Sequence, residues 1–481
     1  MNGRAILRVL GFIILVTGVA MLPCLLVAWI DGSRDVTAFL ASAAAPILLG
    51  ITLLAMTPGA ADLRVRDGFA VVTFGWIAAA CFGAMPFYLS HATNLPGALF
   101  ESMSGFTTTG SSVIADVESL SHALLLWRSA IQWMGGMGIV VLSIAVLPLL
   151  GVGGMQLFKA EVPGPTTDRL TPRIQSAATA LWVVYLGITV AETVFLRLGG
   201  MGWFGAICHS FTTVSTGGFS TRNTSIAAYN SAYIETVVIV FMFLSGINFS
   251  LHLGLRRLRI GRFLRDEEVR LYTVIVILAI AALTVSLMAK SGETLGMAIR
   301  HAAFQTVSIL TTTGFATADF HIWGHGAQIL LFFLMFLGAC AGSTAGGAKL
   351  MRVIILARNA FRTARQEVHP RGIYRIRYNG QVIPDDIVMR IQGFFLLYIF
   401  IFLFMAVCLG AMGVDPETAL GASIATLSNI GPGLGEVGPA STFASIPDAG
   451  KILLFFNMLL GRLELYTVLV LFMPMFWRRG S

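Results

Sequence analysis

Thr107-Thr108-Thr109-Gly110-Ser111 is the first of four similar stretches that together decide the fold of this chain. The other three are Val214-Ser215-Thr216-Gly217-Gly218, Thr311-Thr312-Thr313-Gly314-Phe315 and Ser428-Asn429-Ile430-Gly431-Pro432. One Thr-Gly pair is a common turn. Four of them, recurring at intervals of roughly 100 residues, predict an internal fourfold repeat.

The composition places these repeats in a membrane. Of 481 residues, 56% are hydrophobic and only 12% are charged, against a charged fraction of about 25% in soluble domains. So few charges cannot cover a soluble surface, and the same figures exclude disordered, collagen-like and disulfide-scaffold chains. The five cysteines lie in or beside apolar stretches, and we interpret them as small buried hydrophobic residues. The chain is therefore predicted to be an all-α polytopic membrane protein.

Ten segments are long and apolar enough to cross ~30 Å of hydrocarbon as helices. They cover about 9–30, 38–57, 69–90, 124–148, 177–198, 232–254, 271–289, 327–348, 391–412 and 451–475. The first exceeds the ~7–15 apolar residues of a signal peptide, which predicts a retained helix. With the N-terminus inside, most of the 32 Lys and Arg residues fall on the cytoplasmic side, chiefly in 256–270 and 349–390. The positive-inside rule therefore predicts that both termini are cytoplasmic.

A shorter apolar stretch precedes each Gly-containing stretch on the predicted exterior side. These stretches are Leu95–Phe106, Trp203–Phe211, Leu295–Leu310 and Glu417–Leu427. A ten-residue helix reaches only ~15 Å, half the bilayer, so re-entrant half-helices are predicted. The repeat unit is then span, half-helix, Gly loop and span, and its constant orientation favours fourfold packing around one axis over inverted halves. The predicted units are an N-terminal helix pair, 1–60, and four repeats, 61–155, 156–260, 261–358 and 359–481.

The loop composition indicates a cation pore. A cation that leaves water needs new oxygen ligands, and four loops around one axis can supply backbone carbonyls. Glycine permits the required backbone angles, Thr and Ser hydroxyls add oxygens, and the negative carboxyl ends of half-helices favour a cation. The predicted filter residues are Thr107, Thr108, Thr109, Gly110, Val214, Ser215, Thr216, Gly217, Thr311, Thr312, Thr313, Gly314, Ser428, Asn429, Ile430 and Gly431.

These repeats and T-x-G loops resemble the Trk/Ktr/HKT superfamily of potassium-transport proteins, over about residues 69 to 476. The extra N-terminal helix pair and the stretch Arg128-Ser129-Ala130-Ile131-Gln132-Trp133-Met134-Gly135-Gly136 are similar to its TrkH/TrkG subgroup. In this superfamily a serine at the first filter glycine accompanies sodium permeation. The four glycines here therefore imply potassium selectivity, with K+ as the transported ion. Asn429 and Ile430 depart from the other loops, so strict fourfold symmetry is not expected.

The eighth predicted span contains Gly338, Gly342 and Gly346 at intervals of four residues. From the residues alone, close helix packing of the GxxxG type is favoured, although glycines weaken a helix. The resemblance implies instead an intramembrane loop that gates permeation below the filter, and we expect a gate there. Its predicted residues are Gly338, Gly342, Ser343, Thr344, Gly346, Gly347 and Arg462.

Arg462 lies in the middle of the last predicted span. A central arginine costs about 2.5–3.5 kcal/mol or more to insert, so it requires a partner. One alternative is a structural contact with Glu464 or with a carbonyl of the 338–347 segment. The resemblance implies a second role, in which Arg462 lies beneath the filter and its charge opposes cation passage.

The basic loops 256–270 and 349–390 are expected to face anionic membrane lipid. The resemblance implies a bacterial inner-membrane homodimer whose cytoplasmic face binds a cytosolic, nucleotide-binding, TrkA-like regulatory subunit. This chain has neither a GxGxxG after a strand nor a Walker motif, so no organic cofactor is expected. Nucleic acid is not an expected partner, because basic loops of membrane proteins mark topology.

Several alternatives stay open at this point. A coupled secondary transporter for another cation or an organic solute would predict inverted repeats. An intramembrane enzyme is not expected, since the chain has no HExxH and no GxSxG motif. Channel conduction and proton- or sodium-coupled symport use the same residue types. Glu192 and Glu235 could be proton-linked groups or packing residues, and the exterior carboxylates Asp116, Glu118, Asp319 and Glu436 could concentrate cations or only be solvated.

Overall fold

The computed structural model describes residues 2–59, 65–145, 170–256 and 260–477. Its helices begin with α1 (Gly3–Ala20), α2 (Leu22–Ile30), α3 (Val36–Met56), α4 (Val65–Gly83), α5 (Met85–Leu89), α6 (Leu95–Phe106), α7 (His122–Ala145), α8 (Leu170–Leu198), α9 (Trp203–Val214), α10 (Ala232–Ser245) and α11 (Phe249–Arg256). They continue with α12 (Ile260–Arg265), α13 (Glu267–Ser291), α14 (Leu295–Leu310), α15 (His325–Leu337), α16 (Leu350–Val368), α17 (Asp385–Ala411), α18 (Pro416–Leu427), α19 (Asp448–Arg462), α20 (Tyr466–Leu469) and α21 (Pro474–Trp477). Strands β1 (Arg377–Tyr378) and β2 (Gln381–Val382) form an antiparallel hairpin.

Each of the ten predicted spans contains helix. Among the described residues, six helical segments could cross a membrane by length and composition alone, or seven if α19 and α20 form one span. The apolar helices α10 and α15 are shorter, and α7 falls in the predicted span 124–148. Residues 146–148 of that span, residues 257–259 of the first basic loop and the repeat boundaries at 60/61 and 155/156 lie outside the described residues.

Three predicted spans are broken by three or more non-helical residues, whereas the breaks at Met21 and Ala84 are one residue long. Residues 246–248 separate α10 from α11, α15 ends at Leu337 before the irregular residues 338–349, and α19 and α20 meet at 110°. The backbone explains two of these breaks, since Gly338 and Leu465 both have positive φ angles, +69° and +55°, which an α-helix cannot contain. Non-helical backbone at this depth is tolerated only where protein or water surrounds it.

The four short helices α6, α9, α14 and α18, called the half-helices below, have their carboxyl ends inside the bundle. Phe100–Phe106 of α6 and Gly421–Leu427 of α18 are buried throughout. The amino ends of α6 and α18 are fixed by side-chain caps, since Asn94 accepts a hydrogen bond from the Gly97 N–H and Asp415 accepts one from the Thr418 N–H. The long helices surround them and expose large apolar side chains, such as Leu396 of α17, as lipid-facing helices do.

Candidate cation pore

The four half-helices end in the same backbone geometry. Each is followed by a cap residue and then by a residue in the left-handed region, where φ lies between +53° and +58°. These second residues are Thr108, Thr216, Thr312 and Asn429. In the first repeat, the Thr108 N–H donates to Gly105 O at 3.0 Å and the Thr109 N–H donates to Ser104 O at 2.8 Å. This is the Schellman arrangement, which normally uses glycine, so non-glycine residues there mark a strained functional geometry.

The register of the second loop corrects one prediction. Helix α9 continues to Val214, so Ser215 rather than Val214 takes the place of Thr107. Gly218, with φ +77°, is then the equivalent of Gly110, with φ +85°. The predicted quartet 214–217 is therefore wrong by one residue, and Gly217 corresponds to Thr109.

Two threonines explain why the register predicted from the sequence was wrong. Thr212 and Thr213 made the sequence look polar after Phe211, where the half-helix was predicted to end. In the structure their hydroxyls donate to backbone carbonyls one turn back, to Cys208 O at 3.2 Å and His209 O at 2.7 Å. A threonine that bonds in this way is compatible with a buried helix.

The four loops close into one ring. The glycine of each loop packs against the backbone carbonyl oxygen of the residue that precedes the equivalent glycine in the next loop. A Cβ atom added at Gly110, Gly218, Gly314 or Gly431 would lie 2.1, 1.9, 1.9 or 2.9 Å from the carbonyl oxygen of Gly217, Thr313, Ile430 or Thr109, respectively. The ring therefore runs in chain order and returns from the fourth loop to the first, as parallel repeats around one axis predict.

The loop hydroxyls hold the ring in shape. Thr107 Oγ1 and Thr109 Oγ1 are 2.7 Å apart, and the equivalent oxygens of Thr311 and Thr313 are 2.8 Å apart. The fourth loop differs as the sequence suggested, because Asn429 Nδ2 donates to Thr109 Oγ1 at 2.9 Å. This bond crosses from one loop to the next and makes the ring asymmetric.

A buried ion pair behind the first loop was missed by the sequence reasoning. Arg128 of α7 approaches Glu101 of α6 to 2.8 Å, and both side chains are almost fully buried. Glu101 also accepts hydrogen bonds from Ser112 Oγ and from Val113 N, at 3.0 Å each. The pair thus fixes the extended segment that follows the first loop. An arginine inside a predicted span, with a glutamate in the adjacent half-helix, is the signal that could have revealed it.

In two further repeats, the residue equivalent to Glu101 is also polar and also anchors its loop. His209 Nε2 and Ser220 Oγ share a hydrogen bond of 3.0 Å, and Gln305 Nε2 donates to Ala318 O at 3.1 Å. Gln132 of α7 adds a clamp on the second loop, since its Nε2 donates to Gly217 O at 2.7 Å. The sequence-based list of site residues contained none of these anchors.

Arg128→Met is expected to lower the stability of the protein strongly. It leaves the Glu101 carboxylate buried without its cation, and breaking a buried pair in this way costs about 3–5 kcal/mol. The measurement is the midpoint of thermal unfolding in detergent, followed by size-exclusion chromatography. Arg222→Met is the matched control, because its ion pair with Glu118 is half exposed and such pairs contribute at most about 1 kcal/mol. Equal midpoints for the two variants would contradict the structural role of the buried pair.

Residues 338–349 form an irregular loop directly beneath the ring, called the intramembrane loop below. GxxxG helix packing is therefore wrong for this segment. The loop contacts the ends of three half-helices: Thr344 Oγ1 donates to Val214 O at 3.1 Å, the Gly346 N–H donates to Thr312 Oγ1 at 2.6 Å, and the Gly347 N–H donates to Ser428 O at 2.9 Å. The approach is so close that a Cβ atom at Gly346 would lie 2.0 Å from Ser428 O.

Arg462 fastens this loop from the side of α19. Its Nη1 donates to Thr344 O at 2.8 Å, its Nη2 lies 3.5 Å from Gly135 O, and the residue is 3% exposed. Of the two partners considered from sequence, the loop carbonyl is the observed one, and Glu464 instead pairs with Arg352. The Arg462 guanidinium therefore lies beside the intramembrane loop, among buried groups.

Most of the carboxylates singled out from the sequence form ion pairs or hydrogen bonds within the protein. Glu118 pairs with Arg222 at 3.2 Å, and its hydrogen bond raises the pKa of the Arg222 guanidinium. Asp116 Oδ1 accepts a hydrogen bond from Asn223 Nδ2 at 2.8 Å. Glu235 makes a two-fold contact with Arg300, at 2.5 and 2.6 Å.

The other three carboxylates singled out from the sequence lie in turns or are buried. Asp319 caps a short turn, because its Oδ1 accepts a hydrogen bond from the His321 N–H at 2.9 Å. Glu436 lies in the turn Gly435–Val437. Glu192 is buried on α8, beside Thr213. A proton-linked role for Glu192 stays a prediction.

Membrane-type helices that surround four half-helices and one closed ring of Gly loops define a pore-loop protein. A family model described as cation transport protein, TrkH, matches residues 36–479. The chain therefore belongs to the TrkH family of cation transport proteins, which is not a family of enzymes.

Individual relatives are similar over their whole length. The Trk system potassium uptake protein TrkH of Halomonas elongata is 40% identical, with 100% of both chains covered. The protein of the same name from Escherichia coli K12 is 40% identical over 99% of this chain and 100% of its own, and E. coli TrkG is 36% identical over 99% of each. The crystal structure of the potassium transporter TrkH from Vibrio parahaemolyticus is 37% identical and superposes with a TM-score of 0.92, over 99% of this chain and 100% of that one.

Proposed function

We propose that this protein is the ion-conducting membrane subunit of a potassium uptake system. The closed ring of four loops is the observation that carries the proposal, because it gathers one backbone carbonyl oxygen from each of the four repeats into a single ring. Its relatives carry the names of potassium uptake proteins. The parallel order of the loops opposes the alternative of a transporter with inverted repeats.

The ring suits a dehydrated cation in its charge as well as its shape. The carboxyl ends of all four half-helices lead into the loops, and each helix end carries about half a negative charge. Thr108 Oγ1 and Asn429 Oδ1 are buried without a hydrogen-bond partner among the described residues. A potassium ion or its water would satisfy such oxygens, since buried polar atoms are otherwise paired.

The intramembrane loop and Arg462 form the gate in this proposal. The loop is bonded to three half-helix ends directly below the ring, so it obstructs the path of an ion that leaves the filter. Arg462 adds a positive charge beside this obstruction and holds the Thr344 carbonyl. Opening requires that these bonds break together, which makes a two-state gate.

We place the protein in a bacterial inner membrane with both termini in the cytoplasm, in agreement with the distribution of basic residues. Potassium is its ligand, membrane lipid surrounds it, and a homodimer with one pore in each protomer is the proposed assembly. The names of the relatives refer to a Trk system, so a separate cytosolic regulatory subunit is the proposed partner of the basic cytoplasmic face.

The purified protein in liposomes is expected to pass potassium much more readily than sodium. The measurement is the reversal potential under bi-ionic conditions, which gives the permeability ratio directly. A ratio of at least about 10 corresponds to about 1.4 kcal/mol of discrimination. Liposomes without protein give the background. Equal permeability, or the absence of any cation flux, would remove the potassium pore as the function.

A further inference from the structure

Two backbone N–H groups that flank the central part of the intramembrane loop, one in the loop and one in the first turn of α16, donate to a single carboxylate oxygen. Glu268, in the first turn of α13, is 3% exposed. Its Oε1 accepts a hydrogen bond from the Ala341 N–H at 2.8 Å and another from the Met351 N–H at 2.8 Å. These two residues lie on either side of the segment that contacts the half-helices. One atom of Glu268 therefore joins the two sides of that segment, beside the direct hydrogen bond from the Leu350 N–H to Ala339 O at 3.1 Å.

The other oxygen of the same carboxylate contacts the β-hairpin. Tyr378, on β1, donates its hydroxyl to Glu268 Oε2 at 3.2 Å. The next hairpin residue, Asn379, bonds the same end of α13, because its Nδ2 donates to Asp266 Oδ2 at 2.8 Å and its Oδ1 accepts from Glu267 N at 2.8 Å. The hairpin is thus attached to the residue that holds the loop.

One face of the hairpin is open to its surroundings, whereas Tyr378 on the other face is buried. Arg377 and Gly380 are exposed, and Ile373, shortly before the hairpin, is an apolar residue with 88% exposure. The segment belongs to the basic stretch 349–390 that the charge distribution assigns to the cytoplasm. A cytosolic event that moves the hairpin would therefore reach the intramembrane loop through two hydrogen bonds, from Tyr378 to Glu268 and from Glu268 to the loop.

We propose that Glu268 is a positioning residue that clasps the intramembrane loop in its closed shape, and that the β-hairpin is the lever that releases it. This inference rests on the proposed role of the loop as a gate. Hydrogen bonds to a carboxylate are about twice as strong as those between neutral groups, so loss of this acceptor loosens both sides of the segment at once and leaves them to weaker backbone bonds such as Leu350 N–H to Ala339 O. Movement of the hairpin shifts the Glu268 carboxylate through the Tyr378 hydroxyl and through the Asn379 contacts with the same end of α13, and so draws it away from Ala341 and Met351.

The loop contains its own reporter, Cys340, which is fully buried. We would replace Cys24, Cys81, Cys208 and Cys408 with serine and follow the reaction of Cys340 with a membrane-impermeant methanethiosulfonate in liposomes. Glu268→Ala is expected to raise the labelling rate by at least about tenfold, because it removes two charge-assisted hydrogen bonds. Glu267→Gln is the matched control, since Glu267 pairs with Arg358 at 2.8 Å, and its labelling rate should not change.

Two conservative variants keep the test valid if Glu268→Ala folds poorly. Glu268→Gln keeps a neutral acceptor and is expected to label several-fold faster than the parent protein. Tyr378→Phe removes only the hairpin bond and is expected to raise labelling about threefold, with Tyr374→Phe as its control. Unchanged labelling in every Glu268 and Tyr378 variant would overturn the clasp.

Potassium flux, measured in the same liposomes, separates the two proposals. Faster labelling together with higher flux supports both the clasp and the gate. Faster labelling with unchanged flux keeps the clasp but refutes the gate, because the loop would then open without effect on conduction. Higher flux in Arg462→Ala alone, without a labelling change in the Glu268 variants, keeps the gate and refutes the clasp.

Discussion

Replacing Gly218 with alanine is expected to lower potassium flux by at least about 100-fold. The new Cβ atom would lie 1.9 Å from Thr313 O, and Gly218 has a φ of +77°. Left-handed backbone costs a non-glycine residue about 1–2 kcal/mol, and overpacking costs about 1–3 kcal/mol more. The second and third loops must both move, which opens the ring. The measurement is the initial rate of potassium uptake into liposomes, with the potassium-to-sodium ratio of the remaining flux.

Gly202→Ala is the control within the same repeat. Gly202 caps the amino end of α9 with a φ of −59°, and an added Cβ atom there meets nothing within 4 Å. Its flux should equal that of the parent protein. Gly217→Ala tests the register, since its new Cβ atom would approach the Gln132 side chain rather than a neighbouring loop. If Gly217→Ala abolished selectivity and Gly218→Ala did not, the assignment of Gly218 to the ring would be refuted.

Arg462→Ala is expected to raise potassium flux by roughly 10- to 100-fold. At an effective dielectric constant of about 20, a unit charge raises the energy of a cation ~6 Å away by about 3 kcal/mol. The substitution removes that charge and also the hydrogen bond that holds Thr344 O at 2.8 Å. Both changes act in the same direction, toward an open path. Single-channel recording in planar bilayers would separate a longer open time from a larger unitary current.

Arg462→Lys separates the charge from the hydrogen bonds, because lysine keeps the charge but lacks the planar fork of arginine. We expect a smaller increase than in Arg462→Ala, seen mainly in open time. Lys451→Ala is the control on the same helix, since Lys451 pairs with Asp448 near the amino end of α19. Unchanged or reduced flux in a well-folded Arg462→Ala protein would show that Arg462 is only a structural residue.

The half-helices were largely predictable from the sequence. Two of them, Leu95–Phe106 and Leu295–Leu310, have the predicted limits, because apolar residues fill them and a Thr-rich loop follows each one. The limit of α9 was not predictable in this way. Thr212 and Thr213 satisfy their own hydroxyls within the helix, and the Gly217-Gly218 pair offers two glycines for one position. Local composition does not show which of the two glycines is equivalent to Gly110, whereas the contact of Gly218 with Thr313 O in the closed ring does.

The breaks and the buried ion pair depend on tertiary contacts. A hydropathy pattern runs through residues 327–348 without interruption, yet the helix ends at Leu337, because the next residues bond to half-helix ends that are distant in sequence. Glu101 and Arg128 are 27 positions apart and lie on different helices. Their pairing follows only when α6 and α7 are packed together, and a linear pattern does not contain that information.

The ring is built from one polypeptide, and its third position holds Thr109, Gly217, Thr313 and Ile430. In a channel made of four identical chains, one mutation alters all four quadrants of the conduction path. Here a single codon change alters one quadrant and leaves three intact. In the proposed filter, ion preference can therefore change one quadrant at a time during evolution, and each quadrant can acquire a separate contact, as Asn429 has done by bonding to Thr109 of the neighbouring loop.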